Sequence, residues 1–269
     1  MQPGREWRQI VLGLCAVAAT GCSTTSHSTE ARRLVDLTHA YAQDTIYWPT
    51  EDGFVLETGP AGVTEGGWWY SANAFRSAEH GGTHLDAPIH FHADGSSVDA
   101  IPLDRLVGEG VRIDVRAACA ADRDHLIDVA DLRAWESEHG PIPEQAIVLL
   151  DTGYARHWPD RVTYMGTDAR GAEAVAALHF PGLHPDAARW LVDARDIAAV
   201  GLDTPSIDRG QSKDFLAHRV LAAAGIPVFE NLAELGALPP SGFEVIALPM
   251  KIAGGSGAPL RIVARVPAD

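Results

Sequence analysis

Cysteine and basic residues are scarce in this 269-residue chain, and each scarcity excludes a kind of protein. Only three cysteines occur, and Cys119 is the only one beyond residue 22. An intrachain disulfide in the main body of the chain is therefore excluded. Lysine and arginine together number 21 against 36 acidic residues, which gives a net charge of −15. Because nucleic-acid binding needs clustered positive charge, we expect no nucleic-acid partner.

The N-terminal apolar stretch is too short to cross a bilayer. Residues 10–19 form a run of ten, whereas a membrane helix needs about 20. The run follows two arginines and ends in small residues before Cys22, as in a bacterial lipoprotein signal. We expect a signal peptide over residues 1–21, a lipid anchor on Cys22 and a polar tether over residues 22–33. The protein would then lie in the bacterial cell envelope. An ordinary cleaved secretory signal, giving a periplasmic protein, and an uncleaved anchor are the alternatives.

The rest of the chain, residues 34–269, has the pattern of a single α/β domain. Strand-like and helix-like segments are interleaved and no linker separates them, which predicts a mixed β-sheet with flanking helices. Strands are expected at residues 34–38, 68–75, 111–115, 146–150, 197–202, 226–229, 244–248 and 260–266. Helices are expected at residues 128–139, 185–194 and 213–224.

The densest chemical signal lies at residues 80–92, which hold four of the twelve histidines. Its polar members are His80, His84, Asp86, His90 and His92. All occupy even positions, and even positions of an extended chain share one face. A helix would place His84 and Asp86 about 200° apart, and Pro88 would disrupt it. Imidazoles and a carboxylate converging on one side are ligands for zinc, manganese or iron. The segment therefore predicts a divalent metal site.

Other catalytic signals are weaker. No Gly-x-Ser-x-Gly motif occurs, so a serine nucleophile is not favoured. Residues 254–257 (Gly-Gly-Ser-Gly) are either an active-site loop or a turn between strands. Trp68, Trp69 and Tyr70 would line an aromatic substrate pocket or pack in the core or a dimer interface. Two acidic residues, Asp203 and Asp208, would orient ligand histidines or cap turns around Pro205, and the turn is favoured.

The motif His80-x-x-Thr83-His84-x-Asp86-x-Pro88-x-His90 resembles the signature of the cyclase family of metal-dependent hydrolases. That family includes bacterial kynurenine formamidases and isatin hydrolases. The resemblance extends over most of residues 34–266. Further matching features are Trp48-Pro49, the block Gly201 to Asp208, His218 and Glu230. It implies the family's swivelling β/β/α architecture and a homodimer or higher homo-oligomer.

The resemblance also implies roles for single residues. His80, His84 and Asp86 match the ligands of a first metal ion, whereas Asp86, His218 and Glu230 match those of a second. Asp86 and Glu230 are the expected bridges, His90 matches the general acid/base, and Trp48 matches a substrate contact. One or two ions, Zn²⁺ or Mn²⁺, are expected as cofactor.

The implied reaction is hydrolysis of an amide C–N bond in a small-molecule substrate by metal-activated water. An aryl formamide such as N-formylkynurenine is the expected substrate, and an isatin-like cyclic amide or lactone is the alternative. A different class of function is a non-catalytic lipoprotein that binds a metal or ligand. His90 separates the two classes, because a simple metal binder needs no extra imidazole beside the ion.

Overall fold

A computed structural model describes residues 31–268 of the chain. The expected signal peptide, residues 1–21, and the expected lipid site at Cys22 lie outside the described residues. The first strand begins at Arg32, two residues before the expected start of the domain. Among the described residues, no helix is both long and apolar enough to cross a membrane.

Strands outnumber helices in the described part of the chain. The strands are β1 Arg32–Asp36, β2 Val55–Glu57, β3 Ala61–Val63, β4 Trp69–Ser71, β5 Ala74–Arg76, β6 His84–Asp86, β7 Val107–Asp114, β8 Leu126–Ile127, β9 Ile147–Asp151, β10 Gly182–Leu183, β11 Ala199–Leu202, β12 Val228–Glu230, β13 Phe243–Pro249 and β14 Gly257–Pro267. The α-helices are α1 Arg116–Ala121, α2 Val129–His139, α3 Arg161–Met165, α4 Pro185–Arg195 and α5 Leu216–Ala223.

Eight strands form one mixed sheet that closes on itself like a barrel. Their order is β1-β14-β13-β7-β9-β11-β12-β6, and β14 also pairs with β6. The central strands β7, β9, β11 and β12 run parallel, whereas the pairs at the closure are antiparallel. Closure is possible because β14 is long: its first three residues pair with β6 and its remainder with β13 and β1. The predicted single α/β domain with a mixed sheet is confirmed.

The sheet has a hydrophobic core on each face. Strand β9 is buried along its whole length, as its continuous apolar run predicts for a parallel strand covered on both sides. Val148 and Leu150 pack into one core, and Ile147 and Leu149 pack into the other. The sheet therefore lies between two apolar layers, and polar side chains buried at its edge need specific partners.

The helices α2, α4 and α5 contribute to one of these cores. Helix α2 begins after Asp128, whose side chain accepts hydrogen bonds from two backbone N–H groups. Helix α4 begins with Pro185 in its first turn. Both helices lie where the sequence predicts them. Helix α5 begins at Leu216 instead of Lys213, because Phe215 has a left-handed backbone conformation with φ of 49° that helices do not adopt.

The segment 68–75 differs from its prediction as one strand. It forms two strands, β4 and β5, which belong to separate two-stranded sheets. Strand β4 pairs with β3, and β5 pairs with β2. Trp68, Trp69, Tyr70 and Phe75 are all exposed, because neither small sheet has a second layer covering it within the described chain.

Candidate metal centre

The short strand β6 carries two of the expected ligands into the interior. His84 and Asp86 are two residues apart, so their side chains share one face, and both are buried. Strand β12 pairs with β6 so that Glu230 is the partner of His84. His218 lies in the first turn of α5 and is also buried. The register of the sheet and the start of one helix therefore bring these four side chains together.

The ligand atoms lie within a few ångströms of one another. Nε2 of His84 is 3.2 Å from Oδ1 of Asp86 and 3.5 Å from Oε2 of Glu230. Nε2 of His218 is 3.1 Å from Oδ2 of Asp86 and 3.3 Å from Oε1 of Glu230. Nδ1 of His80 is 2.6 Å from Oδ1 of Asp86. Two triplets have the spacing to hold a metal ion: His80, His84 and Asp86, and Asp86, His218 and Glu230.

Outer hydrogen bonds determine which imidazole nitrogens face this cluster. Nδ1 of His84 donates to the carbonyl of Gly82 at 3.0 Å, and Nδ1 of His218 donates to Oδ2 of Asp208 at 2.7 Å. In the neutral ring the other nitrogen, Nε2, then carries only a lone pair. These lone pairs point at carboxylate oxygens, which also carry only lone pairs. Lone pairs that face one another repel, and a cation between them would be bound by both, so the set of ligand atoms fits a divalent metal.

The pKa values show how strongly the cluster attracts positive charge. Burial lowers the pKa of His218, but its hydrogen bonds to Asp208 and to the cluster carboxylates outweigh burial and raise it well above its ordinary value. Burial raises the pKa of Asp86, but the imidazoles of His80 and His84 lower it well below its usual range. Burial and the neighbouring Asp86 raise the pKa of Glu230. Positive charge is therefore stabilised here, whether as protons or as a metal ion.

The cluster forms the floor of a cavity of about 470 Å³. His90 lies in its wall, with its ring stacked on that of His80 at a centroid distance of 3.8 Å and an angle of 19°. Burial lowers the pKa of His90 to about 4. Trp48 also lines the cavity, and its ring makes edge contacts with Phe180 and Phe215. The structure therefore brings Trp48, His90 and the five ligands implied by the family resemblance to one cavity.

Some sequence expectations are corrected. Trp68, Trp69 and Tyr70 do not line this cavity, and neither does His92, although it has the same even spacing. The chain turns into a short 3₁₀ helix at residues 88–90, so the two-residue period ends before position 92.

The two acidic residues near Pro205 have different roles. Asp203 accepts hydrogen bonds from Thr152 and Ala155, which follow β9, so the expectation that it caps a turn around Pro205 is wrong. The same expectation for Asp208 is also wrong, because its carboxylate holds the ring of His218.

Sequence reasoning missed several residues at the site. Phe91 and Phe215 line the cavity, and Glu79 lies in its wall. Residues 254–257 were not missed: Oγ of Ser256 is 2.9 Å from Nε2 of His80, which supports the active-site loop of the two alternatives given for this segment. Glu79 immediately precedes a predicted ligand, and this adjacency was the only local signal available for it.

Comparisons with known proteins agree with this geometry. The family model for the cyclases matches residues 35–209. A kynurenine formamidase from Salinibacter ruber is 32% identical over 234 residues, covering 86% of this chain and 97% of that protein. Among solved structures, isatin hydrolase A from Labrenzia aggregata bound to benzyl benzoate is 35% identical, with a TM-score of 0.78 and coverage of 88% of this chain and 94% of that one.

A second similar structure is named for its metal dependence. It is described as a potential metal-dependent hydrolase with cyclase activity, and it is 25% identical with a TM-score of 0.64. The match covers 89% of this chain and 100% of that one. The chain therefore belongs to the cyclase family of metal-dependent hydrolases.

Proposed function

We propose that the protein hydrolyses the C–N bond of a small aromatic amide of the aryl formamide class. One divalent ion, Zn²⁺ or Mn²⁺, would be held by His80, His84 and Asp86, and a second by Asp86, His218 and Glu230. A bound metal would lower the pKa of a water molecule so that it ionises near neutral pH. The metal would also polarise the carbonyl group of the substrate. The observation that carries the proposal is the convergence of bare imidazole nitrogens and carboxylates on the floor of an aromatic cavity.

His90 is the residue proposed to move the proton. Its ring stacks on His80 in the cavity wall, so it lies beside the ligands. With its pKa lowered by burial to about 4, the ring is neutral at pH 7 but is a weak base, so it would take a proton from water that a bound metal makes more acidic. The same nitrogen then returns that proton to the departing amine nitrogen as the C–N bond breaks. This step needs no covalent enzyme intermediate.

The charge of the cavity wall favours an uncharged substrate. Trp48, Phe91 and Phe215 supply flat apolar surfaces, whereas Glu51 and Glu79 supply carboxylates. No lysine or arginine of residues 31–268 lines the cavity. Away from the metal site, the α-carboxylate of N-formylkynurenine would meet no lysine or arginine of the wall. A neutral aryl formamide, or an isatin-like cyclic amide as the second candidate, fits this wall better.

A substrate panel tests the proposal. Metal-loaded protein is assayed for initial rates on N-formylaniline, N-formylkynurenine and isatin, with His90→Ala as the catalytic control. We expect turnover of the two neutral substrates at higher kcat/KM than N-formylkynurenine. We also expect His90→Ala to lower kcat by about 10²–10⁴-fold with bound metal retained. Metal-loaded protein that cleaves none of the three would instead support the non-catalytic binding lipoprotein.

We also propose that the protein is anchored in the bacterial cell envelope through a lipid on Cys22. The support is the sequence pattern before this cysteine. Cell fractionation of wild type and Cys22→Ser tests it. We expect wild type in the membrane fraction and the variant outside it, and an unchanged distribution would contradict the anchor.

A homodimer is proposed as the assembly. Val63 and Trp69 are cross-strand partners in the sheet of β3 and β4, and both are exposed, Trp69 by 67%. Large apolar side chains paired on an exposed sheet in this way mark an association site, and a second copy is the proposed occupant. Light scattering of wild type and Trp69→Asp tests this: we expect a dimer for wild type and a monomer for the variant. A monomeric wild type would refute the proposal.

A further inference from the structure

We infer that Glu79 and Ser256 act as positioning residues for His80: together they hold a proton on its outer ring nitrogen and turn its bare Nδ1 toward the metal. This rests on the proposed function only in taking His80 as a metal ligand. Neither residue belongs to the ligand motif, and Ser256 lies 176 positions from His80 in sequence.

The contacts form a continuous chain from the cluster outward. Nδ1 of His80 is 2.6 Å from Oδ1 of Asp86, and Nε2 of the same ring is 2.9 Å from Oγ of Ser256. Oγ of Ser256 is in turn 2.6 Å from Oε2 of Glu79. The same carboxylate oxygen accepts a hydrogen bond from the backbone N–H of Ser256 at 3.0 Å.

The protons in this series of hydrogen bonds can be arranged in only one way when His80 binds a metal. A serine hydroxyl has one proton, and a carboxylate can only accept. Ser256 therefore donates that proton to Glu79 and can only accept from His80. Nε2 of His80 must then be the protonated ring nitrogen, which leaves the lone pair on Nδ1 facing Asp86.

The loop that carries Ser256 is fastened against the ring on several sides. The carbonyl of Ser256 accepts a hydrogen bond from the N–H of Ala87 at 2.9 Å. Gly257 begins β14 directly beside the ring, since a Cβ atom there would lie 2.5 Å from Cε1 of His80. Real Cβ atoms do not approach so closely, so only glycine permits this contact. The serine is thus held in place by backbone contacts as well as by Glu79.

Exposure explains why His80 needs this support more than the other ligands. Its side chain is 23% exposed, whereas those of His84 and His218 are 3% and 6% exposed. The two buried rings are fixed by close packing in addition to their own outer hydrogen bonds, whereas the ring of His80 has less packing around it. Hydrogen bonds to the outer nitrogen of a ligand imidazole orient the ring and raise its basicity, and losing them costs about 10–100-fold in metal affinity.

The matched control is Ser97→Ala. The Ser97 hydroxyl also donates to a carboxylate, that of Asp99, at 2.7 Å. Asp99 in turn accepts from the N–H of Gly254, so it fastens the other end of the same loop. Ser97 does not contact His80, so its loss tests the effect of loosening the loop alone.

The test is a titration of metal-free protein with Co²⁺, followed by visible absorption. For Ser256→Ala we expect one equivalent to bind about 10–100-fold more weakly with an altered spectrum, and any equivalent held by the other triplet to be unchanged. Glu79→Gln should weaken binding of the same Co²⁺ equivalent, and this variant provides the test if Ser256→Ala does not fold. Ser97→Ala should bind as wild type does.

Two results would overturn the inference, and they differ in meaning. Wild-type affinity and spectrum in both Ser256→Ala and Glu79→Gln would refute the positioning role alone. A wild-type protein that binds no Co²⁺ would refute the proposed function together with it.

Discussion

Replacing Asp208 with asparagine should weaken one metal triplet and leave the other intact. The buried carboxylate accepts four hydrogen bonds. Oδ1 accepts from the backbone N–H of Ala217 at 3.1 Å and from the hydroxyl of Ser212 at 3.4 Å, and Oδ2 accepts from both the N–H and Nδ1 of His218, at 3.1 and 2.7 Å. Asparagine is nearly the same size but has one oxygen and one NH₂ group. Whichever way it lies, its NH₂ group faces at least one N–H donor.

The size of the destabilisation depends on which hydrogen bonds are lost when the asparagine amide takes its better orientation. If the amide oxygen stays with His218, the N–H of Ala217 is left without an acceptor, whereas the hydroxyl of Ser212 still has Asp214 as an acceptor. An unsatisfied buried donor lowers the free energy of unfolding by about 1–3 kcal/mol. The hydrogen bond to the imidazole of His218 is then accepted by a neutral amide oxygen instead of a charged carboxylate. Losing such a hydrogen bond to a ligand imidazole typically lowers metal affinity about 10–100-fold. We expect that loss only for the triplet of Asp86, His218 and Glu230.

Two assays separate these effects. Urea unfolding of metal-free protein measures stability, and Co²⁺ titration measures the affinity of each triplet. Asp193→Asn on α4 removes the same charge at an exposed position and should match wild type in both assays. If Asp208→Asn is destabilised yet binds both equivalents as wild type does, Asp208 only caps α5 and the reasoning about His218 fails.

Two further predictions concern the cavity wall and a half-buried histidine. Trp48→Ala removes one aromatic surface and should raise KM roughly ten-fold with little change in kcat; an unchanged KM would place the substrate elsewhere. Burial lowers the pKa of His39 from 6.5 to about 4, more than the Leu232 carbonyl raises it. The unfolded chain therefore binds a proton at higher pH than the folded one, so stability falls as the pH drops from about 6.5 to about 4. The loss at pH 5 is about 2 kcal/mol. His39→Phe keeps a ring against Trp158, on which His39 stacks, and should flatten this dependence in urea unfolding at pH 5 and 7. If the free energy of unfolding of the variant depended on pH as strongly as that of wild type, His39 would be excluded as the cause.

The local part of the metal centre was predictable from sequence because it depends on a short period. His84 and Asp86 are two residues apart in an extended segment, and β6 places them on one face as the pattern predicts. His218 is 132 residues away from Asp86, and no periodicity links positions so distant. Its place at the site was expected only from the family resemblance.

The errors have physical causes as well. Trp68 and Trp69 are large apolar residues, and composition favours burial for such residues. The pocket and core alternatives are wrong because burial within one chain needs a second layer, which the small sheets lack within the described residues and which the sequence of one strand does not encode. The dimer-interface alternative stays a prediction. Asp208 was misjudged because an aspartate near a proline is common in turns, whereas its hydrogen bond to His218 depends on how α5 docks.

The most direct test of the metal-centred account is activity as a function of metal content, measured on one preparation. Metal is removed with a chelator, quantified by elemental analysis and added back as Zn²⁺ or Mn²⁺, with His84→Ala carried through in parallel. The account predicts that hydrolysis of N-formylaniline or isatin falls with metal content, returns on reloading in wild type and stays absent in the variant. Fully chelated protein that retains the activity of the untreated protein would contradict it.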